Sequence, residues 1–475
     1  MSEGNDSGKS KNIMVRLSIM LFLQFWIWGA WFISIPKYAG SIKNMGESIY
    51  YCYGAIPLAA MIAPFFLGLV ADRFFNTEKI LALLFLIAGI SMILLPYVGG
   101  LSGEVTNIAE AGKDDNFVET VSFLGMTGYK HTFFNALIMI HAISYMPTLA
   151  LTASLSFTHL PKGSESFPKV RLWGTFGWIF GGMALIIFNV KNAAGEITTP
   201  GEASPNQFYL AGGAAILLAL FSFFALPKTP APKRGEKADI AALLFVDVWK
   251  EFKNKSFAVF VICSFLLCIP LQAYYVYLQT QMGTQGFTNV PSWKNAGTWL
   301  EAIMMFSMSF FFIKLGIKKM IAIGIGAWVI RYALFPLATG FDPMVGGISY
   351  GNGGFLLIMA GVLLHGICYD FFFVSGQVYV DQAADPKIRG QAQSMIIFFT
   401  QGLGMYIGDM VNKSLFMKTF EADNMGAAYG AAGKPENLEK WANFWWPLCI
   451  ISVVILIIFL FAFKHKDKEN AEFSH

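Results

Sequence analysis

The sequence predicts an all-α integral membrane protein, with twelve transmembrane helices arranged as two six-helix bundles. First, 55% of its 475 residues are hydrophobic and 13% are charged, a balance too apolar for an ordinary soluble protein. Second, apolar runs of about 20 residues, long enough to cross a bilayer, recur along the chain. Third, the hydrophilic segment 227–255, rich in proline and lysine at its start, divides these runs six and six.

The predicted spans set the domain boundaries. Residues 1–226 form the N-terminal bundle, 227–255 form a cytoplasmic linker, and 256–475 form the C-terminal bundle with a cytoplasmic tail. The spans lie near 14–35, 49–70, 79–98, 133–155, 169–190, 208–226, 256–278, 293–313, 320–340, 353–381, 390–412 and 443–463.

Loop charge predicts the orientation of the spans. An even number of spans places both termini on one side. If that side is the cytoplasm, the inner loops and tails carry about 23 of the 34 Lys and Arg residues. The positive-inside rule therefore predicts a multi-pass protein of the cell inner membrane with both termini cytoplasmic. The hydrophilic insertions 99–132, 191–207 and 413–441 are then outside.

Composition and spacing disfavour several function classes. The net charge of +4 does not indicate nucleic-acid binding, because Lys and Arg are spread through loops rather than gathered in one patch. All five Cys residues lie within apolar runs and form no CxxC pair, which argues against disulfides and metal sites. The sequence has no nucleotide-binding glycine loop either, so it does not indicate an enzyme, and we expect no metal or other cofactor.

Asp370 is the most informative residue, because it lies near the centre of the apolar stretch 353–381. An Asp at the middle of a membrane helix costs about 2.5–3.5 kcal/mol, so its side chain should face protein or water, and such acids usually belong to a transport pathway. The alternative role is a helix-packing hydrogen bond. In a regular helix Asp370, Gln377 and Asp381 form one polar stripe, with His365 and Tyr369 on a neighbouring face.

Other spans also place polar or aromatic side chains at helical spacing, which predicts candidate binding faces. They are Arg171, Thr175 and Trp178 in span five, Gln272 and Tyr275 in span seven, and Thr298 with Glu301 in span eight. By position alone, Arg171 is an interfacial residue whose side chain extends towards the cytoplasm.

The loop after span two, GLVADRFFNTEKIL (68–81), resembles the cytoplasmic loop signature of the major facilitator superfamily in its G-x-x-x-D-R core. The glycine permits close helix approach, while Asp72 and Arg73 can pair across the inner ends of neighbouring helices and hold one gating state. The equivalent loop after span eight, KLGIKKM (314–320), echoes it without the acid. Two related six-helix halves fit that superfamily's parallel repeats, which implies a substrate site near the bilayer midplane.

A closer resemblance is to the bacterial nucleoside:proton symporters of that superfamily, and it runs nearly end to end. The motifs that carry it are FLQF and WGAW in span one, GLVAD after span two, SYMPTL in span four, FP-x-x-R-x-WGT-x-G into span five, LQ in span seven, GIKK with AWVIRYALF in span nine, YDFF-x-x-SG in span ten and I-R-x-x-AQ into span eleven. The resemblance implies nucleoside import coupled to inward proton flow, with the substrate held in a central cavity and the proton gradient as the driving force.

The resemblance also implies the site residues. Family binding positions kept in this sequence are Arg171, Thr175, Gln272 and Glu301, together with the acid Asp370. This changes the interpretation of Arg171 from an interfacial residue to a substrate contact.

Five further site positions depart from the family pattern. Trp178 and Tyr369 stand in place of phenylalanine, Tyr275 in place of asparagine, Thr298 in place of glutamine and His365 in place of tyrosine. The aromatic exchanges keep a stacking face for a base. The two lost amides remove groups suited to hydrogen bonding with a base or ribose.

Two hypotheses therefore remain for the substrate. One is a nucleoside; the alternative is another hydroxylated solute, such as a sugar or sugar acid, carried by a proton-coupled symporter of the same fold. In either case the partners are the small-molecule substrate, the proton and the lipid bilayer, and we expect a monomer.

Among the titratable groups Glu301, His365 and Asp370, we expect Asp370 to be the main proton carrier and Glu301 to link protonation to substrate binding.

Overall fold

A computed structural model describes residues 3–35, 38, 42, 48–66, 76–107, 117–160, 167–193, 197–229, 245–287, 290–345, 347–385, 388–422 and 425–464. The chain divides into two compact units, Met1–Ala238 and Asp239–His475. The division falls within the segment 227–255, where the sequence predicts a linker.

The first unit is built mainly from six helices that coincide with predicted spans. They are α1 (Glu3–Trp31), α2 (Ser48–Phe66), α3 (Thr77–Gly100), α4 (Lys130–His159), α5 (Phe167–Met183) and α6 (Asn206–Phe224). Short 3₁₀ turns follow α5 at Ala184–Phe188 and precede α6 at Gly201–Ala203. Within this unit α1 packs against α5, and α3 packs against α4 and α6.

Two small antiparallel sheets lie in the hydrophilic insertions of the first unit. One contains β1 (Glu104–Asn107), β2 (Phe117–Phe123) and β3 (Met126–Tyr129) in that order, and the other pairs β4 (Val190–Lys191) with β5 (Ile197–Thr199). Leu124 and Gly125 join β2 to β3 with φ angles of 51° and 78°, as a two-residue hairpin turn requires. A buried ion pair of 2.5 Å between Glu119 and Lys130 ties β2 to the start of α4.

The second unit contains the remaining helices. They are α7 (Val246–Trp249), α8 (Lys255–Val276), α9 (Leu278–Thr284), α10 (Val290–Ala338), α11 (Gly353–Leu363), α12 (His365–Tyr369), α13 (Ser375–Ala383), α14 (Arg389–Ile397), α15 (Met405–Phe420), α16 (Met425–Ala432) and α17 (Leu438–Ala462). Short 3₁₀ turns lie at Lys250–Lys253 and Pro435–Asn437. The long helix α10 packs against α17 and against α11 and α12.

Local interruptions break the long helical stretches of the second unit. Gly316 interrupts α10 with a φ of 72° and a ψ of 165°, a conformation open almost only to glycine. π-helical turns at Asp370–Val374 and Phe398–Gly404 join α12 to α13 and α14 to α15. Such π-turns inside helices occur frequently at functional sites.

Ten helices among the described residues are long and apolar enough to cross a membrane, against the twelve predicted. In α2 the apolar part, Tyr51–Ala63, is shorter than a full span. In α10 one stretch, Phe310–Ala338, is long and apolar enough to cross a membrane, although two spans were predicted there. The part of α10 before this stretch carries Lys294 and Glu301, which lower its hydropathy. The membrane-spanning α-helical class is confirmed, while the count of twelve is not.

Candidate functional site

The predicted site residues of the first unit lie on α5, which contacts α1 through glycines. An added Cβ on Gly177 of α5 would lie 2.0 Å from the carbonyl oxygen of Phe22 in α1. In the reverse direction, an added Cβ on Gly29 of α1 would lie 2.3 Å from the carbonyl oxygen of Trp178. The two helices therefore pack backbone to backbone, which fixes the position of α5 against α1.

Arg171, Thr175 and Trp178 share one face of α5. The Nη1 of Arg171 donates a hydrogen bond to Thr175 Oγ1 at 3.4 Å, and its guanidinium carbon lies 4.1 Å from the ring centroid of Phe25. Trp178 meets Trp28 edge to face, with 5.5 Å between ring centroids. The first unit thus offers a half-buried planar cation beside flat aromatic faces, a combination suited to a polar solute that contains a ring.

Gln24 of α1 serves helix packing in the same unit. Its buried side chain donates from Nε2 to Thr148 Oγ1 at 2.9 Å, and its Oε1 accepts from Thr152 Oγ1 at 2.9 Å. The Tyr145 hydroxyl also donates to the backbone carbonyl of Gln24 at 2.6 Å. Both ends of the amide are used to join α1 to α4, which places Gln24 in the interior packing rather than among the candidate substrate contacts.

In the second unit Glu301 of α10 and His365 of α12 face each other in the interior. The Oε2 of Glu301 lies 3.7 Å from Nε2 of His365, and the two residues are 7% and 6% exposed. Glycines bring these helices together: an added Cβ on Gly297 would lie 2.4 Å from the carbonyl oxygen of Val362, and one on Gly366 would lie 2.7 Å from the Glu301 nitrogen. The separation between acid and imidazole is therefore set by close backbone packing.

Tyrosine rings surround this pair. Tyr274 stacks on His365 with ring centroids 5.2 Å apart, and Tyr275 approaches the same ring edge-on at 6.4 Å. Tyr369 lies one helical turn from His365, with centroids 5.8 Å apart, so the predicted neighbouring face is confirmed for these two side chains. Thr298 is buried on the same helix as the acid. Residues from three predicted spans thus meet in one cluster.

Asp370 is fully buried and begins the π-helical turn Asp370–Val374. A π-turn contains more residues than an α-turn, so the residues beyond it are rotated relative to their positions in a regular helix. The prediction that Asp370, Gln377 and Asp381 form one stripe assumed a regular helix and is wrong in that respect. Asp381 instead forms an ion pair of 3.9 Å with Arg389.

Asp409 of α15 is a site residue that the sequence analysis missed. Its Oδ1 accepts a hydrogen bond from Nε2 of the buried Gln272 at 3.4 Å. The neighbouring Gly408 brings α15 close to α8, because an added Cβ there would lie 3.0 Å from the Ile269 Cα. The available signal was an acid inside predicted span eleven.

Arg331 and Lys294 are two further buried cations whose roles the sequence analysis did not identify. Arg331 is 0% exposed; its Nε donates to the Gly361 carbonyl at 2.9 Å, and its guanidinium carbon lies 4.2 Å from the ring centroid of Tyr274. The Nζ of Lys294 donates to the Tyr275 carbonyl at 3.3 Å and lies 5.3 Å from the same Tyr274 ring. The signal for Arg331 was a charge within the AWVIRYALF motif.

The predicted gating pair, Asp72 and Arg73, lies outside the described residues. Within the described ranges, no group of three or more His, Cys, Asp and Glu side chains is placed to hold a metal ion.

Both units therefore carry polar and aromatic side chains inside helices built to cross a membrane. The second unit also buries two carboxylates, Glu301 and Asp370, and acids within membrane helices typically mark ion and proton pathways. This combination defines a secondary transporter, a protein that moves a solute by changing conformation rather than by chemistry.

The chain belongs to the nucleoside H⁺ symporter family, whose model matches residues 11–100 and 120–468. It is 30% identical over 458 residues to the putative nucleoside transporter YegT of Escherichia coli (strain K12), covering 96% of this chain and 94% of that protein. It is 28% identical over 421 residues to the nucleoside permease NupG of the same strain, covering 84% and 87%.

Solved structures agree with this assignment. A crystal structure of NupG matches with a TM-score of 0.66 and 25% identity, covering 96% of this chain and 100% of that one. The proton:xylose symporter XylE of E. coli, a member of the major facilitator superfamily, matches with a TM-score of 0.59 at 14% identity, covering 96% and 97%. The resemblance inferred from sequence motifs and the superfamily fold are both confirmed, and the protein is a transporter rather than an enzyme.

Proposed function

We propose that this protein imports nucleosides by proton symport through alternating access. The observation that carries the proposal is the burial of two carboxylates, Glu301 and Asp370, inside the helices of a chain that belongs to this family. Symport requires a group that binds a proton on one side of the membrane and releases it on the other. A membrane-embedded carboxylate provides such a group, and the proton gradient then supplies the driving force without a cofactor.

We assign substrate binding to side chains in both units. They are Arg171, Thr175 and Trp178 in the first unit, and Gln272, Tyr275, Thr298, Glu301, His365 and Tyr369 in the second. Hydrogen bonding between Arg171 and Thr175 and the clustering of tyrosines around His365 support the assignment, since each set combines polar groups with aromatic faces. Bases stack on such faces, while ribose hydroxyls need polar partners.

We assign proton transfer mainly to Asp370, with Glu301 linking protonation to substrate binding. Asp370 is fully buried at the start of a π-turn, so a change in its charge acts at a point where the helix is already irregular. We assign a gating role to Asp72 and Arg73 on the motif resemblance alone.

The orientation in the membrane is inferred from the distribution of charge in the loops. We propose a monomer in the cell inner membrane with both termini in the cytoplasm, and bundles at 1–226 and 256–475 joined by a cytoplasmic linker at 227–255. The excess of Lys and Arg in the predicted inner loops supports this orientation.

Transport by the purified full-length protein in proteoliposomes tests the function. An inward proton gradient should drive accumulation of labelled uridine, and a protonophore should abolish it. Labelled xylose is measured in parallel, because Tyr275 and Thr298 replace two amides of the family site. Accumulation of xylose without uridine would identify a sugar symporter, and uridine uptake that ignores the protonophore would exclude proton coupling.

A further inference from the structure

His365 is the side chain in the second-unit cluster that brings a new titratable group to the site, since the family resemblance places tyrosine at this position. A tyrosine hydroxyl stays neutral up to about pH 10, whereas an unperturbed imidazole changes charge between about pH 5 and 8. The imidazole Nε2 lies 3.7 Å from the Glu301 carboxylate, and both side chains are buried. This chain therefore places an imidazole beside the acid where the family pattern has a phenol.

The surroundings of His365 contain charges of both signs. The titratable and charged groups that face it are Glu301, Lys294 and Arg331 on α10, Tyr274 and Tyr275 on α8, and Tyr369 on its own helical stretch. Burial of the ring opposes a positive charge on it, and the neighbouring basic side chains Arg331 and Lys294 oppose it further. The Glu301 carboxylate favours it, so the imidazolium is stable only while Glu301 is ionised.

The position of the ring is held from two directions. Tyr274 stacks against it with an interplanar angle of 17°. The glycine contacts at Gly297 and Gly366 keep α11 and α12 against α10, because neither position has room for a side chain. The acid and the imidazole therefore stay in contact distance without depending on flexible side chains.

We propose that His365 and Glu301 form a proton-sharing pair, in which the proton that Glu301 links to substrate binding is held between an imidazole and a carboxylate rather than on Glu301 alone, while Asp370 remains the main proton carrier. This inference rests on the proton symport proposed above. When the proton is on Nε2, an imidazolium lies beside a carboxylate; when the proton leaves towards the cytoplasm, a neutral imidazole remains beside the same carboxylate. Glu301 consequently stays an anionic hydrogen-bond acceptor for substrate in both protonation states.

The proposal predicts how substrate affinity depends on pH. In the wild type, the KM for uridine counterflow should be nearly constant between about pH 5 and 8, because the acceptor keeps its charge. In His365→Tyr and His365→Asn, Glu301 must take the proton itself and lose its charge. Their KM should rise about fivefold as the pH falls across that range, the usual difference between a charged and a neutral hydrogen-bond acceptor.

Counterflow in proteoliposomes with equal pH on both sides measures this dependence without a proton gradient. Glu301→Gln should raise KM at every pH, and adding His365→Asn to it should not change how KM depends on pH, because the pair is already broken. His159→Asn is the matched control: the His159 ring contacts the backbone carbonyls of Leu155 and Lys228 rather than an acid, so its pH profile should equal that of the wild type. Identical profiles in the wild type and both His365 variants would overturn the proposal.

A second measurement covers the case in which the His365 variants do not fold. Wild-type protein and Glu301→Gln, each with ring-¹⁵N-labelled histidine, are compared by NMR. Of the six histidines, one should give an imidazolium signal in the wild type that is absent in Glu301→Gln; equal signals in the two proteins contradict the pair. This readout needs no substrate, so a failure of uridine transport would count against the proposed function and leave the proton-sharing pair open to measurement.

Discussion

The hydrogen bond between Gln272 and Asp409 fixes the orientation of the Gln272 amide. An ionised carboxylate only accepts hydrogen bonds, so the amide must present Nε2 to it. The Oε1 of Gln272 then remains as the atom that can receive a donor from the substrate. If Gln272 binds substrate as proposed, Asp409 acts as a positioning residue that selects for substrate donors at Gln272.

Asp409→Asn should therefore change specificity more than stability. Without the carboxylate the Gln272 amide can adopt either orientation, so preference between cytidine, whose base presents a donor, and uridine, whose base presents an acceptor at the same position, should weaken. Counterflow KM values for both nucleosides measure the change. Gln272→Ala should weaken binding of either one by about 1–2 kcal/mol, the usual cost of losing a buried hydrogen-bonding partner.

The control for this variant is Asp247→Asn, which removes an exposed acid paired with Lys250 and should leave both KM values unchanged. If Asp409→Asn keeps the wild-type preference while Gln272→Ala loses affinity, Gln272 binds substrate without being oriented by the acid.

A candidate site residue can be recognised in the sequence when its polarity differs from that of the residues around it. Glu301, His365 and Asp370 stand inside long apolar runs, so each could be selected as a candidate from the sequence alone. Lys294 and Asp409 lie near the ends of predicted spans, where charged residues are ordinary. Their contacts with Tyr275 and Gln272 depend on helices that are distant in sequence, which no local pattern records.

At the scale of helices, close packing between α10 and the α11–α12 stretch controls the geometry of the site. Gly366→Ala places a methyl group 2.7 Å from the Glu301 nitrogen, which the helices can relieve only by separating. Overpacking of this kind costs about 1–3 kcal/mol, and it moves Glu301 away from His365. We expect a lower unfolding temperature and reduced uridine uptake, measured on the same preparation.

Gly326→Ala is the matched control for Gly366→Ala. It also exchanges a helical glycine for alanine, but its added Cβ has no atom within 4 Å. Both variants gain helix propensity, so that gain cannot account for a difference between them. Because Gly326→Ala causes no steric contact, uptake should be retained in it. Equal uptake in the two variants would show that the tight contact at Gly366 does not matter for transport.

Gly316→Ala should destabilise the second unit for a different reason. The backbone at Gly316 lies in a region that side chains with a Cβ avoid, and forcing alanine into it costs about 1–3 kcal/mol. Thermal unfolding in detergent should show a lower transition temperature for Gly316→Ala than for Gly326→Ala. An unchanged transition would mean that the break in α10 relaxes without cost.

The positions of the helices could be predicted because apolar runs of membrane length leave few alternatives. The π-turns could not, because a change from α to π hydrogen bonding leaves the apolar pattern intact and depends on packing with neighbouring helices. The error over the stripe from Asp370 to Asp381 has this origin, because the angular relation of these residues was taken from a regular helix.

At the scale of the whole molecule, coupling can be separated from transport. Asp370→Asn removes the proposed main proton carrier, so it should abolish accumulation of uridine driven by a proton gradient. Counterflow exchange should be partly retained, because exchange needs alternation between states but no net proton movement. Both assays use the same proteoliposomes.

An Asp370→Asn protein that still concentrates uridine, and loses this ability with a protonophore as the wild type does, would place the carrier elsewhere. Glu301→Gln is then the next variant to measure, because it removes the other buried carboxylate assigned to coupling.

The large-scale organisation was accessible from the sequence through a few strong signals. The polar segment at 227–255 predicted two halves, and the motifs of spans one, five and ten pointed to the family. The number of spans was harder to predict, because Lys294 and Glu301 make the first part of α10 less apolar than an ordinary membrane helix.

The break at Gly316 also decides how α10 passes its neighbour. Before the break, α10 runs parallel to the adjoining stretch from α11 to the π-turn Asp370–Val374. Gly297 lies against Val362, and Phe311 lies against Phe371, with ring centroids 5.0 Å apart.

Beyond the break the direction is reversed, since Gly324 lies against Phe372 and the Arg331 Nε donates to the Gly361 carbonyl. A straight helix of 49 residues would measure about 74 Å, more than twice the hydrocarbon thickness of about 30 Å. The 49 residues form a helical hairpin instead. The chain turns at Gly316, so the residues before and after it form two antiparallel helices. Each of these helices places a charged side chain, Glu301 or Arg331, against the same neighbouring helical stretch.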